Sequence, residues 1–159
     1  MTRELRFKKE AAAEYDRAFA HVARYFMPFL LRAAAVTSGM HVLDIATGTG
    51  LSAEAALTAV GPTGRVTASD LSPAMVERAR ERLGSAPNAS VSIEDAQALS
   101  FPDESFDAVV CSLGLMFFPD PVRGLFEFRR VLASPKLSLA LSRLARPHGY
   151  SHSLLRSVS

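Results

Sequence analysis

The 159-residue chain contains a single cysteine, and this scarcity already restricts the class of protein. One thiol cannot form an intramolecular disulfide, and Cys111 lies within the apolar run 108–111, which predicts a buried strand residue. A chain without a disulfide framework is typical of a reducing compartment. We therefore expect a cytoplasmic protein.

Long apolar runs are also missing. The two most apolar stretches, residues 25–36 and 108–118, are interrupted by Arg32 or end at Pro119, and both are shorter than the roughly 18 residues of a membrane-spanning helix. The N-terminus is charged and no unbroken apolar core follows it, so no signal peptide is predicted. These absences favour a soluble domain without a membrane span.

Several functional motifs are absent as well: a Walker loop, a zinc-type cysteine pair and a serine-centred nucleophile elbow. The formal net charge of +2 comes mostly from scattered arginines without interleaved aromatic residues, a pattern that does not favour nucleic-acid binding. His148 and His152 are four residues apart, but two histidines without a third ligand are a weak metal signal. We predict no metal and no nucleic-acid partner.

The chain does contain a glycine turn directly after an apolar run, in the sequence VLDIATGTG at positions 42–50. Residues 51–60, which follow, are typical of a helix, so the stretch predicts a strand, a glycine turn and a helix. Glycine has no Cβ, and the first amides of a helix lack intrahelical partners, so such a turn can bring backbone N–H groups close to a ligand. We interpret it as a small-molecule site.

Strands and helices are predicted to alternate along the rest of the chain. Residues 3–35 have helical periodicity, and Pro28 is expected to kink or split this helix. Ser72 is predicted to cap the helix that begins at Pro73. In the helix predicted at 121–132, we expect four apolar residues to face inward: Val122, Leu125, Phe126 and Leu132. The predicted strands are 41–45, 65–69, 89–94, 106–113 and 137–141, and the later helices are 51–60, 73–83 and 121–132.

This alternation predicts an α/β fold, a Rossmann-like, doubly wound and mostly parallel sheet with helices on both faces. In such sheets the ligand lies beyond the carboxyl ends of the strands. Asp70 and Asp95 each follow a predicted strand, as the glycine turn does. Asp70 comes twenty residues after Gly50, the spacing at which a carboxylate accepts two ribose hydroxyls. Both aspartates could instead be solvated cap or turn residues.

Four ordered motifs resemble those of class I S-adenosylmethionine-dependent methyltransferases: VLDIATGTG at 42–50, TASDLSPAMV at 67–76, EDAQALSFPDESFDAV at 94–109 and RRVL at 129–132. The resemblance is to the small-molecule branch that includes the ubiquinone and menaquinone C-methyltransferases. It implies S-adenosylmethionine as cofactor, S-adenosylhomocysteine as product, and in-line transfer of a methyl group to a small-molecule acceptor that the sequence does not identify.

The resemblance also implies roles for individual residues. Asp70 would hold the ribose, Leu71 and Met75 would contact the adenine, and Asp95 with Ala96 would bind its amino edge. Ser112 and Leu113 would lie near the transferred methyl group, while Tyr15 or Tyr25 could close over the cofactor. His21 is the histidine to test as a base, and the methionine end would be lined by Asp44, Ala46, Thr47, Gly48 and Gly50.

The family sheet has seven strands, and the last two are expected to be missing from this chain. We therefore divide it into an N-terminal helical segment over the site (1–36), a cofactor-binding domain (37–142) and a basic tail (143–159). An unpaired fifth strand would leave an edge open to dimerisation. Two rival hypotheses follow: a non-catalytic module that binds a partner through this edge, and a nicotinamide-dinucleotide domain, since residues 48–53 fit G-x-G-x-x-A.

Overall fold

A computed structural model describes residues 20–21, 24–133 and 139–142 of the chain. Five parallel strands form one sheet in the order β3-β2-β1-β4-β5. The strands are β1 (His41–Ile45), β2 (Arg65–Asp70), β3 (Ala89–Ile93), β4 (Ala108–Ser112) and β5 (Leu139–Ser142). The helices are α1 (24–33), α2 (Leu51–Val60), α3 (Pro73–Leu83) and α4 (Pro121–Val131), with a short 3-10 helix at Leu115–Phe117.

Alternate residues of the central strands face opposite sides of the sheet, and each side has its own hydrophobic core. Val42 and Val110 belong to the core covered by α1, α2 and the end of α3, whereas Leu43 and Val109 belong to the core covered by α4. Both cores are almost fully closed to solvent. The prediction of a parallel α/β sheet with helices on both faces is therefore confirmed.

Two details of the predicted helices are wrong. Residues 24–33 form one uninterrupted helix through Pro28, so the proline does not divide it. In α4, Val122 and Phe126 are exposed, with 59% and 71% of their surface accessible, and Gly124, Phe128 and Val131 are buried in their place. Both inward and outward positions of α4 carry apolar residues, so apolar spacing alone could not identify the buried face.

The capping of α3 also differs from the expectation. Ser72 occupies the N-cap position and Pro73 the first turn, as predicted, but the Ser72 hydroxyl makes no capping hydrogen bond. Instead, the Ser72 N–H donates to Asp70 Oδ1 at 2.9 Å. The carboxylate that ends β2 therefore also fixes the entry to α3.

Several predictions fall outside the described residues, among them Tyr15, His148, His152 and the tail 143–159. Within the described part, β5 is the last strand of the sheet, and a homodimer through its outer edge stays a prediction. None of the helices in this part is long and apolar enough to cross a membrane.

Candidate functional site

A cleft lies at the carboxyl ends of β1 to β4. Four short segments line it, one after each strand: residues 45–48, 70–75, 94–97 and 112–119 contribute to its wall. The cleft is where an open parallel sheet binds its ligand, because the strand order β2-β1-β4 reverses there.

The turn after β1 is held in a tight conformation that glycine makes possible. Gly48 has a φ of +57° and Gly50 a φ of +87°, both in the left-handed region. The Gly48 N–H donates to Asp70 Oδ2 at 2.9 Å, which ties the turn to the end of β2. Gly50 lies behind the cleft, where a Cβ would come within 3.1 Å of the Ala79 Cα, so it permits α2 and α3 to pack closely.

Asp44 is completely buried behind the glycine turn. Its Oδ2 accepts hydrogen bonds from the hydroxyls of Thr47 and Ser52, both at 2.5 Å. Its other oxygen, Oδ1, has no hydrogen-bond partner among the described residues. Burial raises the pKa of Asp44 to about 6, and the two hydroxyl hydrogen bonds oppose that rise.

Asp70 lies at the cleft wall, and its carboxylate accepts hydrogen bonds from the backbone of two neighbouring segments. Its two oxygens accept from the N–H groups of Gly48 and Ser72, each at 2.9 Å. Burial raises its pKa, and these backbone hydrogen bonds oppose the effect. A carboxylate oxygen has two lone pairs, so each oxygen can still accept a ligand hydroxyl. Leu71, beside it, has 58% of its surface exposed and lines the cleft.

The segment after β3 presents a second carboxylate to the cleft. Asp95 Oδ1 accepts from the Gln97 N–H at 2.9 Å in a tight turn, as the cap interpretation predicts, and Asp95 also lines the cleft with Ala96. Gln97 connects this turn to α4, since its Oε1 accepts from the Asp120 N–H at 2.7 Å and its carbonyl accepts from Arg123 Nε at 2.8 Å. Gln97 therefore anchors the turn to the start of α4.

The fourth wall is built after β4. Leu113 has a φ of +60°, and a Cβ on Gly114 would collide with the Ala46 side chain, so Gly114 lets this segment approach the first turn. Ser112, Leu113 and Gly114 line the cleft there, and Phe117 and Phe118 extend the wall. The two phenylalanines were missed from the sequence, although their place just after a predicted strand end could have indicated them.

The structure brings nine of the predicted site residues to this one cleft: Ala46, Gly48, Asp70, Leu71, Met75, Asp95, Ala96, Ser112 and Leu113. Asp44, Thr47 and Gly50 stand behind the turn and shape it. Neither His21 nor Tyr25 lines the cleft. Both side chains belong to N-terminal helical residues and are exposed to solvent, and the Tyr25 ring packs on Phe26.

The charge of the cleft indicates its ligand. Asp70, Glu94 and Asp95 line it, and its described lining includes no lysine, arginine or histidine. A pyrophosphate would meet only negative side chains there, whereas a cationic ligand with hydroxyl and amino groups would find acceptors. S-adenosylmethionine has a sulfonium, an ammonium, ribose hydroxyls and an adenine, so these residues fit it.

Comparison with known proteins gives the family. Residues 42–134 match the model of a methyltransferase domain. The chain belongs to this family. The match covers the glycine turn, the strands that end at Asp70 and Asp95, and α4. Membership in this family supports the prediction of S-adenosylmethionine as the cofactor.

Two curated relatives have names that refer to quinone biosynthesis. The chain is 38% identical over 143 residues to a ubiquinone/menaquinone biosynthesis C-methyltransferase of Bordetella avium, an alignment that covers 86% of the chain and 56% of that protein. It is 45% identical over 101 residues to a demethylmenaquinone methyltransferase of Clavibacter sepedonicus, which covers 64% of the chain and 40% of the relative. The chain thus spans about half the length of these relatives.

A solved structure shows the same fold. The crystal structure of a SAM-dependent methyltransferase from Aquifex aeolicus matches with a TM-score of 0.74 and 24% identity, and the match covers 91% of this chain and 79% of that one. At that identity the likeness supports the architecture alone. The prediction of a Rossmann-like methyltransferase sheet is confirmed.

Proposed function

We propose that this protein transfers the methyl group of S-adenosylmethionine to a small-molecule acceptor. The observation that carries the proposal is the convergence of four strand ends on one cleft that has three carboxylates and, among its described lining residues, no basic side chain. A dinucleotide with its pyrophosphate would be repelled by that charge. The family match supports the same assignment.

The arrangement of the walls supports one orientation of the cofactor. Asp70 accepts the ribose hydroxyls, Leu71 and Met75 cover one side of the adenine, and Asp95 accepts from its amino group. Ser112 and Leu113 lie toward the transferred methyl group. The methionine end occupies the region of Ala46 and Gly48, which Asp44, Thr47 and Gly50 support from behind, and the orphaned Asp44 Oδ1 favours a nearby positive charge.

The chemistry needs little from the protein beyond alignment. S-adenosylmethionine, when bound, supplies an electrophilic methyl group. The walls hold acceptor and donor in line and exclude water, an effect that can contribute several kcal/mol. A base is required only for some acceptors, and His21 stays the histidine to test as one, although it does not line the cleft.

For the acceptor, the names of the curated relatives and the cleft rim suggest an apolar ring compound of the quinone class. The relatives are named for ubiquinone and menaquinone biosynthesis. Phe117, which lines the cleft, exposes 51% of its surface to solvent. An apolar acceptor would cover such a side chain and thereby remove its surface from water.

Calorimetric titration of the full chain with S-adenosylhomocysteine tests cofactor binding. We expect Leu71→Ala and Asp70→Asn each to weaken binding, the latter by about tenfold to a hundredfold, since a hydrogen bond to a charged group contributes roughly 1.5–3 kcal/mol. Glu81→Gln, on the solvent side of α3, is the matched control and should bind as the wild type does. Folded wild-type protein that takes up no ligand would refute the assignment.

Turnover is tested separately with radiolabelled S-adenosylmethionine. We expect label to pass to a short-chain demethylated quinol, and Asp70→Asn to reduce the rate in proportion to its lost affinity at subsaturating cofactor. A protein that binds S-adenosylhomocysteine but methylates no quinol would retain the cofactor assignment and overturn the acceptor class.

A further inference from the structure

The wall of the cleft beside the 94–97 turn depends on a glycine that does not itself line it. Gly124 lies in the first turns of α4 and is buried, directly behind the Phe118 ring. A Cβ built on Gly124 would lie 2.7 Å from Phe118 Cδ2 and 2.8 Å from Cε2. Carbon atoms that are not bonded prefer separations of about 3.5–4.0 Å, so a side chain here and the present ring position exclude each other.

Two sides of the Phe118 ring are occupied by other residues, and a third side faces the cleft. On one side it packs edge-on against Phe128, with ring centroids 6.0 Å apart, and Phe128 is completely buried. Behind it stands the backbone of α4 at Gly124. Opposite the helix the ring lines the cleft. A side chain at position 124 would therefore push the ring into the cleft.

The same part of α4 fixes the neighbouring segment. The built Cβ of Gly124 would lie 3.8 Å from the Ala96 carbonyl oxygen, so this turn of the helix also contacts the 94–97 wall. Arg123 Nε donates to the Gln97 carbonyl at 2.8 Å, and the Gln97 side chain accepts from the Asp120 N–H at 2.7 Å. That wall is therefore held in place, and the gap between it and Phe118 depends on the ring.

We propose that Gly124 is a positioning residue that sets the width of the adenine end of the cleft, by leaving room for Phe118 to lie back against α4. This inference rests on the proposed function, because that function places the adenine beside Asp95 and Ala96. It implies that the size of residue 124 controls affinity for ligands that contain adenosine, without any contact between residue 124 and the ligand.

The test is calorimetric titration of S-adenosylhomocysteine and 5′-methylthioadenosine into wild type, Gly124→Ala, Phe118→Leu and the double variant. Gly124→Ala should weaken both ligands by the same factor, about tenfold or more, because they share the adenosine and overpacking of this size is costly. The double variant should recover most of that loss, since leucine leaves room for the added methyl group. Val122→Ala, on the exposed side of α4, is the matched control and should bind as wild type does.

Thermal unfolding separates this role from simple damage to the fold. Alanine favours a helix over glycine, so the double variant should melt no lower than Phe118→Leu alone. Equal affinity of Gly124→Ala and wild type, a loss confined to S-adenosylhomocysteine, or an unrecovered loss in the double variant would each overturn the inference. A wild type that binds neither ligand would instead refute the proposed function.

Discussion

The Asp44 carboxyl is a buried acid whose protonation is coupled to folding. Burial raises its pKa from the ordinary 3.8 to about 6, so the folded protein holds this proton more tightly than the unfolded chain does. Between those two pH values the folded state binds more protons, and the free energy of unfolding therefore falls as pH rises. The loss levels off by about pH 7 and amounts to the order of 3 kcal/mol.

Asp44→Asn should flatten this dependence. An amide is isosteric and cannot ionise, and its oxygen can still accept from the hydroxyls of Thr47 and Ser52. Urea unfolding at intervals from pH 4 to pH 7 should show the wild type losing stability relative to the variant, mostly between pH 4 and pH 6. The pKa of Asp70 is also raised, but Asp70 is present in both proteins and its effect largely cancels.

The exposed carboxylate Glu81 provides the control for this series. Glu81→Gln should leave the pH dependence of the wild type unchanged, because Glu81 is largely exposed, with 57% of its side chain accessible. A difference between wild type and Asp44→Asn that is constant across the pH range would show that Asp44 does not carry a raised pKa.

At the scale of elements, α4 holds the connection between β3 and β4. Arg130 donates to the carbonyls of Leu99 and Phe101, at 3.0 and 2.8 Å, and pairs with Glu127 and Asp103. Glu127 in turn accepts from the Leu99 N–H at 2.8 Å. Side chains on one side of α4 thus form hydrogen bonds with backbone groups of the connection, which would otherwise need water as their partner.

Arg130→Ala is expected to destabilise the fold by about 2 kcal/mol, because it leaves two half-buried carbonyls without donors. The neighbouring Arg129→Ala is the matched control: Arg129 is exposed, and its loss should change stability by less than about 0.5 kcal/mol. Urea unfolding at pH 7 measures both. Equal effects of the two substitutions would mean that the Arg130 hydrogen bonds contribute no net stability.

For the molecule as a whole, we expect ligand binding to raise the free energy of unfolding. A ligand that binds only the folded state raises the free energy of unfolding, by roughly 2.7 kcal/mol at a concentration one hundred times its dissociation constant. S-adenosylhomocysteine should therefore raise the melting temperature in thermal unfolding, and NADH at the same concentration should not. The reverse result would favour the dinucleotide hypothesis that the G-x-G-x-x-A pattern of residues 48–53 left open.

Much of the fold was predictable because the residues that begin and end its helices and strands are marked in the sequence itself. The bounds of β1, α2 and α3 were predicted to the residue, since apolar runs, Gly61, Pro73 and Gly84 mark their ends. The buried face of α4 was predicted only in part. Leu132 is buried as expected, but Val122 and Phe126 are apolar residues at outward positions, and only packing against Phe118 and the sheet determined which apolar residues face inward.

The sequence by itself determined the elements, their alternation and the positions where carboxylates follow strands, because glycine, proline and apolar periodicity act over a few residues. Only the tertiary structure decided which predicted residues share the cleft. Gly50 and Asp44 lie within four residues of Gly48 along the chain, yet both are behind the turn, where Gly50 packs on Ala79 and Asp44 is buried. Phe118 and Gly124 acquire their roles only because α4 folds back beside β4, a contact that no local pattern specifies.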